Sequence, residues 1–583
     1  MFIMCRFRET LVIVLSLLAA SNLQAADYLF NNGNTAYRIV LSSDASVTEQ
    51  TAATELADYL GRISGAHFTV STTPGNRNVF VGYNATASPF KGQNRFEDND
   101  ESFRVLKSGH DLIIYGGRER GSMCGVYRFL ENQLGVRWYT PQFTLVPSQK
   151  KFVLDELDYT ERPQIAWRYT DFFCVQDNAW LAHNLMDTRD SYASKNAYGI
   201  AACYLGTHTM QRFLPAEKYF DEHPEYFAKV KGIRRRSGQP CLTNANVFDI
   251  VKKGLFNYIE SNPSFLIYDV SQLDNQQYCS CRKCKRLARR YGGQSGLMIW
   301  FVNKIAREVK KKYPDKLVGT FAYQYTRHAP TGIKPADNVV IRLCDIECCF
   351  THPIADGCRE SNEAFLKDLK EWTELTDKVF IWDYIVNYRN YMGPFPNIHV
   401  LGPNLKLFSD NHVIGVFEEA QGGTYGNAFE EMKSWVLAKL MWNSDVDTDS
   451  LVSQFIKDFY GIASADILAY YNLCKDFVTT RNVHMGCFSV LQQGPFTEDF
   501  LKDGYAILEQ AEHHAVDTET MEKVKKVKLQ LYSLESDMNP VNHYQEGRWQ
   551  EFKALMLKYK SYYKTRTPPE MYIQQFENKI NKK

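Results

Sequence analysis

The chain has 583 residues, too many for a single core, so two to four domains are expected. Apolar residues make up 44% and charged residues 23%, the balance of an ordinary soluble globular protein. Basic and acidic residues number 68 and 67, and a net charge of +1 argues against a nucleic-acid binder, whose footprint is a basic excess or stripe.

At the N-terminus, Arg6 and Arg8 precede the apolar run 11–20 and the small residues around Ala25 and Ala26. That order predicts a secretory signal peptide over residues 1–26 and an exported, periplasmic or extracellular mature chain. The run is shorter than the ~20 residues of a membrane span. Cys5 lies ahead of the run, where a lipoprotein cysteine would not be. Removing it leaves thirteen of the fourteen cysteines, too few for a disulfide scaffold.

Residues 27–158 read as a small α/β domain. Ala53, Leu56, Ala57, Leu60 and Ile63 keep helical spacing up to Gly65, and short strands at 37–41, 79–82, 103–106 and 112–115 surround that helix. The turn Gly116–Gly121 before the next helix has no dinucleotide or P-loop pattern, so tight packing is its better reading.

From 159 to 444 strands and helices alternate. Strands are expected at 166–173, 198–204, 239–243, 265–271, 317–323, 339–345, 379–383 and 413–418. Eight strands alternating with helices predict a (β/α)₈ TIM-like barrel. Residues 445–583 are helix-periodic and are expected to form an all-helical domain.

In such a barrel the chemistry sits just past the carboxyl ends of the strands. Those ends bring His208 after strand two, Asp274 and Asn275 after strand four, and Tyr323 and Tyr325 after strand five. Asp345 and Glu347 follow strand six, with His352 beyond; Asp383 and Tyr384 follow strand seven, and Glu418 and Glu419 end strand eight. Carboxylates converging on one mouth suit glycosidic hydrolysis, where one carboxyl protonates the leaving oxygen and another is base or nucleophile. Asp274 is expected to be the acid and Glu418 the base or nucleophile, with Asp383 assisting. His208, Asn275, Tyr323, Tyr325, Glu347, His352 and Tyr384 are expected to hold the sugar. The 35 Tyr and 36 Phe include faces able to stack on sugar rings, although aromatic residues also fill cores.

Cys279, Cys281 and Cys284 have the spacing of a metal knuckle, and one of Cys344, Cys348, Cys349 or Cys358 could complete a zinc site. In an exported chain disulfides or free structural thiols are equally open to them. The basic run Lys229–Arg236 reads as a solvated hairpin or a contact for anionic sugars.

These residues carry a resemblance. Gly206-Thr-His208, His223–Phe227, Val270-Ser271 with Asp274-Asn275, the three cysteines, Ala322–Tyr325, His352-Pro353, Trp382–Tyr384, Pro394–Asn397 and Val416–Glu418 together resemble the exported domain-of-unknown-function 4838 family. Residues 53–65 and 121–141 are similar to the accessory domain that precedes the barrel in α-glucuronidases and β-hexosaminidases. The resemblance implies a glycoside hydrolase-like architecture acting on a polysaccharide or oligosaccharide, with no required cofactor. Hexosaminidases that use the substrate's acetamido group carry two adjacent carboxylates after strand four, and here the second is Asn275. A carbohydrate-binding protein that kept the barrel and lost the chemistry is the alternative.

Overall fold

The structure is a computed structural model that describes residues 27–83, 95–188, 197–199, 203–491, 494–564 and 566–582. The expected signal peptide lies outside the described residues. No helix among them is long and apolar enough to cross a membrane. The chain divides into two compact units, one reaching to Val136 and including Val146–Glu161, the other made of Arg137–Leu145 and everything from Arg162 onwards.

The first unit holds a six-stranded mixed sheet. The helix Val47–Ser64 packs through Ala53, Leu56, Leu60 and Ile63, starts in a Ser46–Glu49 capping box and stops at left-handed Gly65. At the turn into the helix Gly121–Leu134, a Cβ on Gly117 would lie 2.1 Å from the Asp100 carbonyl oxygen, so the glycines serve close backbone packing.

The second unit is built on a curled parallel sheet whose strands we number β1 (Trp167–Thr170), β2 (Tyr204–Leu205), β3 (Ile267–Asp269), β4 (Leu317–Ala322), β5 (Val339–Cys344), β6 (Val379–Tyr384) and β7 (Gly415–Glu419). Their order is β1-β7-β6-β5-β4-β3-β2, every pair parallel. Helices α1 (Ala245–Ser261), α2 (Arg282–Arg290), α3 (Gln294–Lys312), α4 (Glu360–Leu375), α5 (Ile398–Asp410) and α6 (Glu430–Trp442) fall between or after these strands. Among the described residues seven strands form the sheet, where eight are expected. The segment expected as the third strand, 239–243, is diverted to another partner: Pro240 bridges Phe227 and the Cys241 N–H donates to the Tyr226 carbonyl, while β2 pairs directly with β3. Among the described residues β1 and β2 are unpaired edges; part of the expected strand 198–204 lies outside them.

Strand alternation sends one set of side chains to the hollow of the sheet and the other towards the helices. The hollow receives Trp167 and Tyr169 from β1, Tyr204, Phe321, Arg342, Phe380, Trp382 and Phe417. Its base is an apolar cluster of Ile267, Val340 and Phe380. Gly319 is needed here, because a Cβ there would lie 2.2 Å from the Tyr204 hydroxyl. The described residues from Thr448 on form seven α-helices, Thr448–Tyr460 to Pro569–Ile580, whose apolar faces join the core of the same unit. The basic run is an exposed two-stranded hairpin, Lys229–Val230 against Ile233–Arg234.

Candidate active site

The carboxyl ends of the strands open into a cavity of about 450 Å³ lined by Asp171, His208, Asp274, Tyr323, Trp382, Tyr384, Tyr388, Glu419 and Phe488 among others. A deeper cavity of about 580 Å³ runs into the hollow of the sheet and shares Asp171, Trp382 and Glu419 with it. Arg342 faces this deeper space, its guanidinium 4.2 Å from the Tyr204 ring and 4.5 Å from the Trp382 ring.

Buried Asp269 organises one rim. It accepts from Ser271 Oγ at 2.6 Å, Thr209 Oγ1 at 3.0 Å and the Tyr204 hydroxyl at 3.1 Å, which fastens the loop after β2 to β3. His208 sits in that loop at φ 51°, a left-handed conformation that the surrounding contacts must hold. Its backbone N–H donates to Ser271 Oγ, and its Nδ1 lies 2.6 Å from the Gln272 carbonyl. A carbonyl can only accept, so Nδ1 is the donor here, and in the neutral ring Nε2 is an acceptor. Asp274, exposed, accepts from the Tyr323 hydroxyl at 3.2 Å, and Gln324 donates to that hydroxyl at 2.8 Å.

The neighbouring strands β1 and β7 supply two acids. Asp171 follows β1 and accepts from the Ala420 N–H at 2.6 Å; burial pushes its carboxyl up to about 6, against the pull of that N–H. Glu419 ends β7 and accepts from the Trp382 indole at 2.5 Å. Burial, and then the charge of Asp171, lift Glu419 to about 7. A carboxyl still protonated near neutrality beside ionisable neighbours is the arrangement acid catalysis uses.

The expected residues divide. Asp274, His208, Tyr323 and Tyr384 line the cavity. Glu418 and Asp383 do not: they point to the helix-facing side of the sheet, 0% and 2% exposed, beside Asp345 at 0%. Asp383 pairs in register with Glu418, and Asp345 is one residue past the Cys344–Trp382 pair, so three acids stand in a row across adjacent strands. Asn275 braces its own loop, donating to the Ser237 carbonyl and accepting from the Gln277 N–H. Tyr325 packs on Tyr278 with ring centres 5.2 Å apart. Glu347 pairs with Arg327 at 2.8 Å. His352 belongs to a cysteine–histidine group away from the cavity lining. Asp171, Trp382, Tyr388 and Phe488 were not among the expected site residues. Asp171 fell inside the strand expected at 166–173, and only the observed end of β1 at Thr170 places it just past a strand.

All thirteen described cysteines are free thiols. Among the described residues two groups could hold a metal ion, with donor atoms all within 4.8 Å of one another: Cys241, Cys279, Cys281 and Cys284, and Cys349, His352, Cys358 and His484. The fourth partner of the knuckle is therefore Cys241, from the diverted third segment, and not Cys344, Cys348, Cys349 or Cys358. Cys241 Sγ lies 3.8 Å from both Cys281 Sγ and Cys284 Sγ.

A parallel curled sheet with acids and aromatic rings gathered past its carboxyl ends places the candidate site where barrel-type α/β folds carry theirs. The chain belongs to the family described as Domain of unknown function (DUF4838), which matches residues 138–472. No curated protein matches it. Among solved structures it is similar to a GH115 4-O-methyl-α-glucuronidase with specificity for decorated arabinogalactans, at 12% identity and a TM-score of 0.56 over 95% of this chain and 77% of the other. It also aligns with the Flavobacterium johnsoniae chitobiase, at 11% identity and a TM-score of 0.46 over 94% of this chain and 96% of the other. A GH138 enzyme targeting pectin rhamnogalacturonan II aligns at 10% identity and a TM-score of 0.45 over 94% and 98%. The first likeness is one of fold.

Proposed function

We propose that this is an exported enzyme that hydrolyses glycosidic bonds in a complex polysaccharide or oligosaccharide. Its domains would run from 27 to 158, 159 to 444 and 445 to 583, the second a (β/α)₈-type barrel that has lost its third strand. The observation that carries the reading is one aromatic-walled cavity holding Asp274, Glu419 and Asp171. Glu419, kept protonated by burial and by Asp171, is the general acid. Asp274, exposed and hydrogen-bonded to Tyr323, is the carboxylate that serves as base or nucleophile. His208 Nε2, Tyr323 and Tyr384 orient sugar hydroxyls, and Trp382 and Phe488 offer ring faces. Incubation with a panel of oligosaccharides, uronic and sulfated ones included, tests this. Reducing-end release supports hydrolysis; calorimetric binding with no product from any member would favour the non-catalytic alternative.

The acid's environment fixes a pH dependence. Glu419 must be protonated to act, so kcat/KM should fall as pH rises through about 7. Asp171→Asn removes the charge that helps hold the proton, so the alkaline limb should move to lower pH. A limb that stays in place in the variant would separate the two acids.

The four-cysteine group fits structural zinc. Zn–S bonds of about 2.3 Å in a tetrahedron set sulfurs about 3.8 Å apart, whereas a disulfide requires about 2.05 Å. The Lys229 N–H reaches Cys279 Sγ at 3.4 Å and the Cys284 N–H reaches Cys281 Sγ at 3.5 Å, the donors that thiolates use. Such an ion would clamp the diverted segment to the loop that carries Asp274. Cys284→Ser should release one equivalent of zinc and lower the melting temperature; unchanged metal content would remove the ion from this site.

A further inference from the structure

The second group is built differently. Cys349, His352 and Cys358 follow β5, and His484 lies between the helices Ser464–Thr480 and Glu498–His514. Cys349 Sγ is 3.4 Å from His352 Nδ1 and 3.6 Å from His484 Nδ1. The two imidazole rings lie 4.5 Å apart, centre to centre. A thiol can donate to one ring nitrogen and accept weakly from the other, so the pair of contacts alone does not call for an ion. The observation that does is the gathering of two sulfurs and two imidazoles with all four donor atoms within 4.8 Å of one another. A tetrahedral zinc with bonds of about 2.3 Å to sulfur and 2.0–2.1 Å to nitrogen places each sulfur about 3.5 Å from each nitrogen. The observed spacing is that edge.

We propose that Cys349, His352, Cys358 and His484 bind one zinc ion through two sulfurs and two Nδ1 atoms. The set is closed, with four protein ligands and no carboxylate, as structural zinc sites are. Outer ring nitrogens of zinc-bound histidines usually meet a polar partner, and His484 Nε2 faces the Asn482 amide at 3.4 Å. Amide oxygen and nitrogen are interchangeable assignments, so that amide accepts the Nε2 proton when turned over.

The ion has a definite task. The stretch 483–489 already leans on the rim: Thr351 Oγ1 donates to the Val483 carbonyl, the Phe350 N–H to Met485, the Tyr388 N–H to Cys487 and the Asn387 amide to Ser489. It delivers Phe488, 50% exposed, to the cavity wall, 5.4 Å from the Tyr388 ring. Zinc at His484 fixes the start of this stretch to the loop after β5, and so sets one wall of the cavity.

The test is metal content of the purified full-length protein by mass spectrometry. Wild type should hold two zinc ions per chain if the four-cysteine site is also filled and one if it is not. In either case His484→Ala and Cys358→Ser should each hold one fewer. Both should remain folded by circular dichroism, with X-ray absorption of any zinc left in them showing sulfur alone. Should either variant fail to fold, X-ray absorption of the wild type decides. Imidazole scattering, on average about three sulfurs and one nitrogen per zinc with both sites filled, supports the proposal. An all-sulfur shell overturns it, as does an unchanged zinc count in folded His484→Ala. A Cys349–Cys358 disulfide found after alkylation also overturns it.

Discussion

Glu419→Gln should lower turnover by about 10²–10⁴-fold on any oligosaccharide that the wild type hydrolyses, the range that positioned acid catalysis supplies. The amide keeps the shape and still accepts from the Trp382 indole, so the cavity should stay intact. What it loses is the proton. Substrates whose leaving groups are good anions need little protonation, so activated aryl glycosides should be spared relative to natural linkages. Asp274→Asn should lose activity with both kinds of substrate, because a base or nucleophile is needed whatever departs. Equal losses across leaving groups in Glu419→Gln would move the acid role elsewhere. Wild-type turnover in both variants would end the assignment of this cavity.

The difference between Glu418 and Glu419 shows where a reading of the chain stops. Apolar runs located six of the seven strands of the sheet, because buried parallel strands are written as Val/Ile/Leu-rich stretches that end in polar turns; the strand Tyr204–Leu205 meets the run expected at 198–204 only at Tyr204. Asp274, His208, Tyr323 and Tyr384 followed from being next after such runs. Which of two adjacent acids faces the hollow depends on register, and a shift of one residue exchanges the faces. The segment Val416-Phe417-Glu418-Glu419 is apolar on both faces before its acids begin, so alternation left no mark in the sequence. The expected third strand was lost for a related reason. Residues 239–243 are short, and their real constraint is Cys241, whose partners lie beyond β3. His352 followed the same rule, drawn to Cys349 and His484 by side-chain chemistry that no strand pattern encodes.

Glu418→Gln should stabilise the protein increasingly as pH rises, and should leave the cavity's chemistry alone. Burial, and then Asp383, push Glu418 well above the usual carboxylate range; burial, Asp383 and Glu418 do the same to Asp345. Burial raises Asp383 to about 6, opposed by the hydrogen bond from the Tyr384 N–H. Among the described residues neither oxygen of Glu418 or Asp345 finds a donor. The folded state therefore holds these acids protonated, while the unfolded chain ionises them above about pH 4. A raised acid contributes its stability below the unfolded value and loses it as pH climbs towards the folded one. For one such group the loss is about 1.4 kcal/mol per pH unit. Other buried groups titrate in the same range: Glu430 and Glu419, at about 7, add to the slope, and Lys433, lowered to about 7 by burial, opposes it above that pH. The comparison must therefore be a difference between variant and wild type. Denaturant unfolding at pH 5, 6, 7 and 8 should show the variant gaining on wild type by up to about 1.4 kcal/mol per unit. The fixed cost of burying an amide in place of a carboxylic acid is the same at every pH and drops out of the slope. A difference independent of pH would mean that Glu418 is ionised in the folded protein, and the row of acids would then need a cation to hold it.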